Sequence, residues 1–158
     1  MTKTVPITRR KKGLTAENAE KTKKKREARS ERRMEHNEIS GQIVDAAIKV
    51  HSVLGPGLLE SAYHACLLHE LRKRGLQVES ELSLPVNYDG VKLDVGYRID
   101  LLVENCVIVE IKAVEKILPI HEAQLLCYLR LSGCRLGLLI NFNVIQLKDG
   151  IKRMANNL

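Results

Sequence analysis

Arg98-Ile99-Asp100-Leu101-Leu102-Val103-Glu104-Asn105-Cys106-Val107-Ile108-Val109-Glu110-Ile111-Lys112 is the stretch on which the reading of this chain turns. Two apolar runs flank a short polar turn, and Asp100, Glu110 and Lys112 sit inside them. A charge within a buried strand is costly unless it is paired or binds a metal. Side chains at i and i+2 of a strand share a face, so Glu110 and Lys112 point the same way. A turn centred between Glu104 and Asn105 pairs residues whose numbers sum to about 209, which puts Asp100 opposite residue 109 or so. Two carboxylates and an ammonium converging on one spot suit a divalent ion and an activated water.

The elements around this hairpin follow from periodicity. Ile39, Ile43, Ala46, Ala47, Val50 and Leu54 recur at helical spacing over 37–54, until Gly55-Pro56-Gly57 breaks the pattern. A second helix is expected from about Leu58 to Arg74, closed by Gly75. Gln77 to Val86 then reads as a strand, bent at Pro85. Asn87-Tyr88-Asp89-Gly90 signals a hairpin turn, and Val91 to Val103 reads as one long strand or a bent pair, with Gly96 a bulge. Pro119 opens a helix over about 120–131, and Arg135 to Ile140 forms a buried strand. Phe142 to Met154 adds a final strand or a short helix. The order α-α-β-β-β-α-β predicts an α/β fold, a mixed sheet flanked by helices.

The 158 residues suffice for one domain. Residues 1–36 hold 13 Lys/Arg against 5 Asp/Glu, a net of +8, while residues 37–158 hold 13 against 14, a net of −1. The excess positive charge therefore belongs to a basic tail, expected to be disordered or a solvated helix. The tail reads either as a nucleic-acid-binding arm or as an extension from an upstream start codon, since Met34 directly precedes the first patterned segment. Residues 37–158 form the predicted domain and offer no gross basic surface. With aromatics at 3% and no Trp, stacking platforms for single strands are scarce.

No apolar run approaches the roughly 20 residues of a membrane-spanning helix, and the polar, basic N-terminus is not a secretory signal. Cys66, Cys106, Cys127 and Cys134 form no CxxC pair and lack zinc-ligand spacing. They read as small apolar filler in a reducing, cytoplasmic compartment.

Asp100 followed by Glu110-Ile111-Lys112 resembles the signature of the PD-(D/E)xK nuclease superfamily, with Ile99-Asp100 in place of its "PD". The superfamily's restriction-endonuclease-like core, αβββαβ, matches the order above after an extra N-terminal helix. Gly57-Leu58-Leu59-Glu60-Ser61-Ala62-Tyr63 also resembles the motif of the GxxExxY family. That likeness continues through residues 96–102, 118–125 and 137–142, and covers roughly residues 35–155.

From the residues themselves, Asp100 and Glu110 are candidate ligands for Mg²⁺ or Mn²⁺. The Ile111 backbone carbonyl adds a third oxygen, and Lys112 would orient or deprotonate the attacking water. The bland alternative is a structural ion pair, Glu110 with Lys112 or Asp100 with Arg98. The resemblance adds Glu60 to the metal set. It also gives Gln124 and Tyr128, a Q-x-x-x-Y pattern on one helix face, a substrate-contacting role. Tyr63 is a substrate-side candidate as the motif tyrosine, with core packing as its alternative. His51, His121 and Arg98 are secondary candidates. The expected activity is metal-dependent phosphodiester hydrolysis of DNA or RNA. The alternative is a non-catalytic nucleic-acid- or protein-binding module, and hydrolysis of a small phosphorylated molecule is a weaker third.

Overall fold

The computed structural model describes residues 15–156. The chain divides into two units, Met1–Met34 and Glu35–Leu158. Residues 1–14 of the basic tail lie outside the described residues, as does the question of an upstream start. The described part of the first unit is helical and exposed, the opening of α1 (Ala16–Leu54). Thr15 caps it through the Asn18 N–H at 3.4 Å. Pairs four residues apart line its surface, Lys21 with Glu17 at 2.7 Å and Lys24 with Glu20 at 3.2 Å. The described part of the tail thus takes the solvated-helix alternative, and it runs on without a break into the helix that apolar periodicity marks from residue 37.

In the second unit, α1 is followed by α2 (Glu60–Lys73), β1 (Val78–Ser83), β2 (Val86–Tyr88), β3 (Val91–Leu93), β4 (Arg98–Val103) and β5 (Val107–Lys112). Then come α3 (Pro119–Ser132), β6 (Leu136–Asn141), a 3₁₀ turn at Leu147–Gly150 and β7 (Ile151–Ala155). The main sheet runs β1-β4-β5-β6-β7. Only β5 and β6 pair in parallel, with α3 as their connection. The αβββαβ core is thus α2, β1, β4, β5, α3 and β6, a mixed sheet with helices on its faces.

The long segment Val91 to Val103 is two strands. Gly96 turns it at φ +80°, Leu84 N–H bonds the Tyr97 carbonyl at 2.8 Å, and β3 leaves to pair with β2. Asp89 and Gly90 both have positive φ, as the predicted Asp-Gly hairpin requires. The final segment carries both alternatives, the 3₁₀ turn and then β7.

Two apolar layers sandwich the sheet. On one face Ile43, Ala47, Tyr63, Leu67 and Leu71 of α1 and α2 pack on Leu101, Val103, Val107, Val109, Ile111 and Ile140. On the other, Leu125, Tyr128 and Leu129 of α3 pack on Ile99, Leu102, Ile108 and Leu139. Each fully buried Leu or Ile contributes about 1.5–3 kcal/mol. Strand β5 is covered on both faces, which explains its nearly unbroken apolar run. Among the described residues no helix is long and apolar enough to cross a membrane. All four cysteines are free, and burial pushes the Cys106 thiol up to about 11, which keeps it unreactive.

Candidate active site

The turn between β4 and β5 puts Glu104 and Asn105 at φ +51° and +56°, a primed turn that suits the twist of a tight hairpin. Its ladder pairs Val103 with Val107, Leu102 with Ile108 and Leu101 with Val109, and there it stops. Continued by one step, the register sets Asp100 opposite Glu110. At that step the two carboxylates take over from the ladder. The Ile111 N–H donates to Asp100 Oδ2 at 2.8 Å, and the Asp100 N–H donates to Glu110 Oε1 at 3.3 Å. The other neighbour of β4 is irregular at the same level. β1 pairs Ser80 with Leu101 and Leu82 with Ile99, passing over Glu81, whose φ is +52°. The alternation of β4 also slips here. Leu101 faces the α1–α2 layer, while Ile99 joins the α3 layer where strict alternation would set it with Leu101. A left-handed residue other than glycine costs roughly 1–2 kcal/mol, and such strain concentrates at functional sites.

Glu110 is only 4% exposed. Burial, and then the adjacent Asp100 carboxylate, push its carboxyl up to about 8, against the opposing pull of Lys112. Lys112, two residues on, is half-buried. Neither Glu110 with Lys112 nor Asp100 with Arg98 comes within the 4.0 Å of an ion pair, so the bland ion-pair alternative is not formed. Arg98 is exposed at the start of β4.

Helix α2 brings Glu60 and His64 to this end of the sheet. Glu60 sits on the exposed first turn, yet partial desolvation raises its carboxyl. The charges of Lys112, Asp100, His64 and His121 all reach it. His64, one turn later on the same helix face, lies 3.1 Å from the Asp100 carbonyl and 3.3 Å from Ser80 Oγ through Nε2. Sequence reasoning missed His64. The spacing from Glu60, i to i+4, was the available signal.

Tyr63 takes its packing alternative and is not a substrate contact. It is fully buried and stacked on Phe142, ring centroids 4.6 Å apart. Its hydroxyl donates to the Gly55 carbonyl at 2.6 Å and accepts the Leu58 N–H at 3.1 Å. No face of it is left for substrate. It ties down the Gly55–Leu58 loop, in which Gly57 takes φ +97°, and so fixes where α2 starts and where Glu60 stands. That is a physical account of glycine, glutamate and tyrosine at this spacing.

His51 is also buried, 2.8 Å from the Val144 carbonyl through Nε2, and serves the packing of α1 rather than the acid pair. His121 accepts the Leu118 N–H on Nδ1 at 3.0 Å and caps α3. On that helix Gln124 Nε2 donates to the Tyr128 hydroxyl at 2.9 Å. Burial, and then the Glu110 charge, raise the Tyr128 hydroxyl's pKa, which sets the Gln124–Tyr128 pair beside the carboxylates.

Among the described residues no three His, Cys, Asp or Glu side chains stand close enough together to hold an ion. The donor set still fits a hard divalent cation. Asp100 and Glu110 meet across the two strands, and a cation between their carboxyls offsets the burial and the repulsion that Glu110 meets there. Mg²⁺ needs only one or two carboxylates beside water, and Glu60 stands at the rim.

A family model described as the PD-(D/E)XK nuclease superfamily matches residues 37–154. The chain belongs to that superfamily. PD-(D/E)XK nucleases generally use divalent metal ions, in keeping with the paired carboxyls here. The crystal structure of SSO0001 aligns with 62% of this chain and 50% of its own, at 24% identity and a TM-score of 0.47. The match thus spans half the length of that protein. No curated protein matches the chain.

Proposed function

We propose that this PD-(D/E)XK protein is a metal-dependent nuclease of the GxxExxY type, hydrolysing phosphodiesters of DNA or RNA. The observation that carries the reading is the reciprocal bonding of Asp100 and Glu110 across a ladder that stops for them. Asp100, Glu110 and the Ile111 carbonyl would hold Mg²⁺ or Mn²⁺, with Glu60 at the rim reaching the ion through its water, and the ion would supply charge stabilisation at the phosphate and a more acidic water. Lys112 Nζ, free of any ion pair within 4.0 Å among the described residues, orients the attacking water or takes its proton. Gln124 and Tyr128 position the strand. His64 holds the Asp100 backbone, and Tyr63 holds the loop that carries Glu60.

A second reading is a binding module without chemistry. It draws on the balance of charge in residues 37–158, a net of −1, since nucleic-acid affinity usually comes from basic residues. Calorimetric titration with Mn²⁺ separates the two. The nuclease reading expects one site in the micromolar to millimolar range, lost in Asp100→Asn. Absence of any Mn²⁺ or Mg²⁺ binding up to millimolar concentrations favours the module.

A further inference from the structure

Beside the carboxylates a cleft of about 630 Å³ opens between α3 and the segment that joins β3 to β4. Its size is that of a small-molecule site. Tyr97, Ile120, Gln124, Tyr128 and Leu131 form its walls. Tyr97, Ile120 and Leu131 are 47%, 67% and 39% exposed, an unusual concentration of bare apolar surface next to an acidic centre. Two of the chain's four tyrosines meet here, the rings of Tyr97 and Tyr128 lying 6.2 Å apart at 53°. The cleft is continuous with the candidate active site, because Gln124 and Tyr128 belong to both. Arg130, exposed and without an ion pair among the described residues, stands at its rim.

We propose that this cleft is a nucleobase subsite, which stacks an unpaired base of a single-stranded substrate on Tyr97 while the adjoining phosphate lies at the Asp100–Glu110 pair. The inference rests on the nuclease reading for the placement of the phosphate, but the base-binding surface stands without it. A planar, largely apolar group with polar edges suits a wall of tyrosine and isoleucine beside the Gln124 amide. Arg130 supplies a cation for the next phosphate along the strand. Stacking on aromatic rings tolerates every base, and contributes about 1–3 kcal/mol for each. A duplex keeps its bases stacked on one another and cannot fill the cleft unless a base is extruded, at a cost of a few kcal/mol. Single strands or frayed ends are therefore the preferred substrate class.

The test uses the full chain carrying Lys112→Met, in Mg²⁺, with a single-stranded oligonucleotide containing 2-aminopurine. Stacking quenches that fluorophore. The expected result is quenching of about twofold or more on binding, with little change for the same strand in a duplex. Tyr97→Ala and, separately, Ile120→Asp should abolish the quenching, and Tyr97→Trp should restore it. Both positions are exposed enough that the fold is kept. Quenching that persists in Tyr97→Ala and Ile120→Asp, or is absent from the parent, overturns the subsite. The nuclease reading is scored apart from this, by cleavage with Lys112 restored. Cleavage with no quenching leaves that reading standing and removes the subsite, and quenching without cleavage does the reverse.

Discussion

Asp100 donates its backbone N–H to the Glu110 carboxylate at 3.3 Å, at the level where the β4–β5 ladder has stopped. The strand that carries one acid is thus fastened to the other acid itself. Anything that changes the charge of Glu110 acts on the geometry of both.

A pH dependence follows. Glu110 titrates at about 8 in the folded chain and at the ordinary 4.5 when exposed. Between those values the folded state binds more protons than the unfolded state, so stability falls as pH rises through that window. The stabilisation is fully present below pH 4.5 and gone above 8. The expected loss for metal-free protein is on the order of a few kcal/mol, or roughly 10 °C in Tm. Thermal melts in chelator from pH 5 to 8.5 should show it, and Glu110→Gln should flatten the profile. A flat profile in the parent would place Glu110 among ordinary carboxylates, and a slope of the opposite sign would mean that the fold favours its ionised form.

Tyr63→Phe keeps the ring on Phe142 and removes the bonds to Gly55 and Leu58. A loss of about 1–3 kcal/mol is expected from the unpaired loop groups. Mn²⁺ affinity should also weaken severalfold, because Glu60 loses its fixed position. An unchanged Mn²⁺ isotherm in a destabilised Tyr63→Phe protein would confine Tyr63 to packing.

His64→Ala frees the Asp100 carbonyl and Ser80. Groups that hold a ligand's own element in place typically change metal affinity or activity by ~10–100-fold. The expected signature is a weaker Mn²⁺ isotherm at a Tm within a few degrees of the parent. Equal affinity in the two proteins would remove His64 from the site.

Gly137 lies under α3, where an added Cβ would sit 2.9 Å from Leu125 Cδ1. Gly137→Ala should cost about 1–3 kcal/mol by overpacking, and Leu125→Ala about 2–5 kcal/mol by leaving a cavity. Denaturant melts check both, and the double variant should recover part of the loss, since the two changes share one space.

The hairpin was legible because its turn residues, its apolar flanks and its charges all point one way. The expected pairing sum of about 209 is 210 in the structure. The helix end at Gly75 was equally plain, and the residue takes a positive φ. The departure of β3 from β4 was half legible, since Val91 to Val103 read as one long strand or a bent pair and Gly96 marks the break, but nothing local says that β3 leaves for β2. The helix before residue 37 was one of two alternatives, a solvated helix or disorder, because exposed charged residues carry no apolar periodicity to decide between them. Glu60, Gln124 and Tyr128 were found through resemblance. The packing of Tyr63 was one of its two readings, while the bond from His64 to the Asp100 carbonyl depends on a partner distant in sequence, which no local pattern encodes.

The central claim, that Asp100, Glu110 and Lys112 form a hydrolytic centre, is tested most directly by cleavage. Full-length protein, its Asp100→Asn variant and its Lys112→Met variant, purified in parallel, would be incubated with labelled single-stranded DNA, duplex DNA and RNA in Mn²⁺. The account predicts Mn²⁺-dependent cleavage of at least one substrate by the parent, abolished by chelator and reduced at least ~100-fold in both variants. Cleavage at parental rates by either variant, or none by a parent shown to bind Mn²⁺, would contradict it.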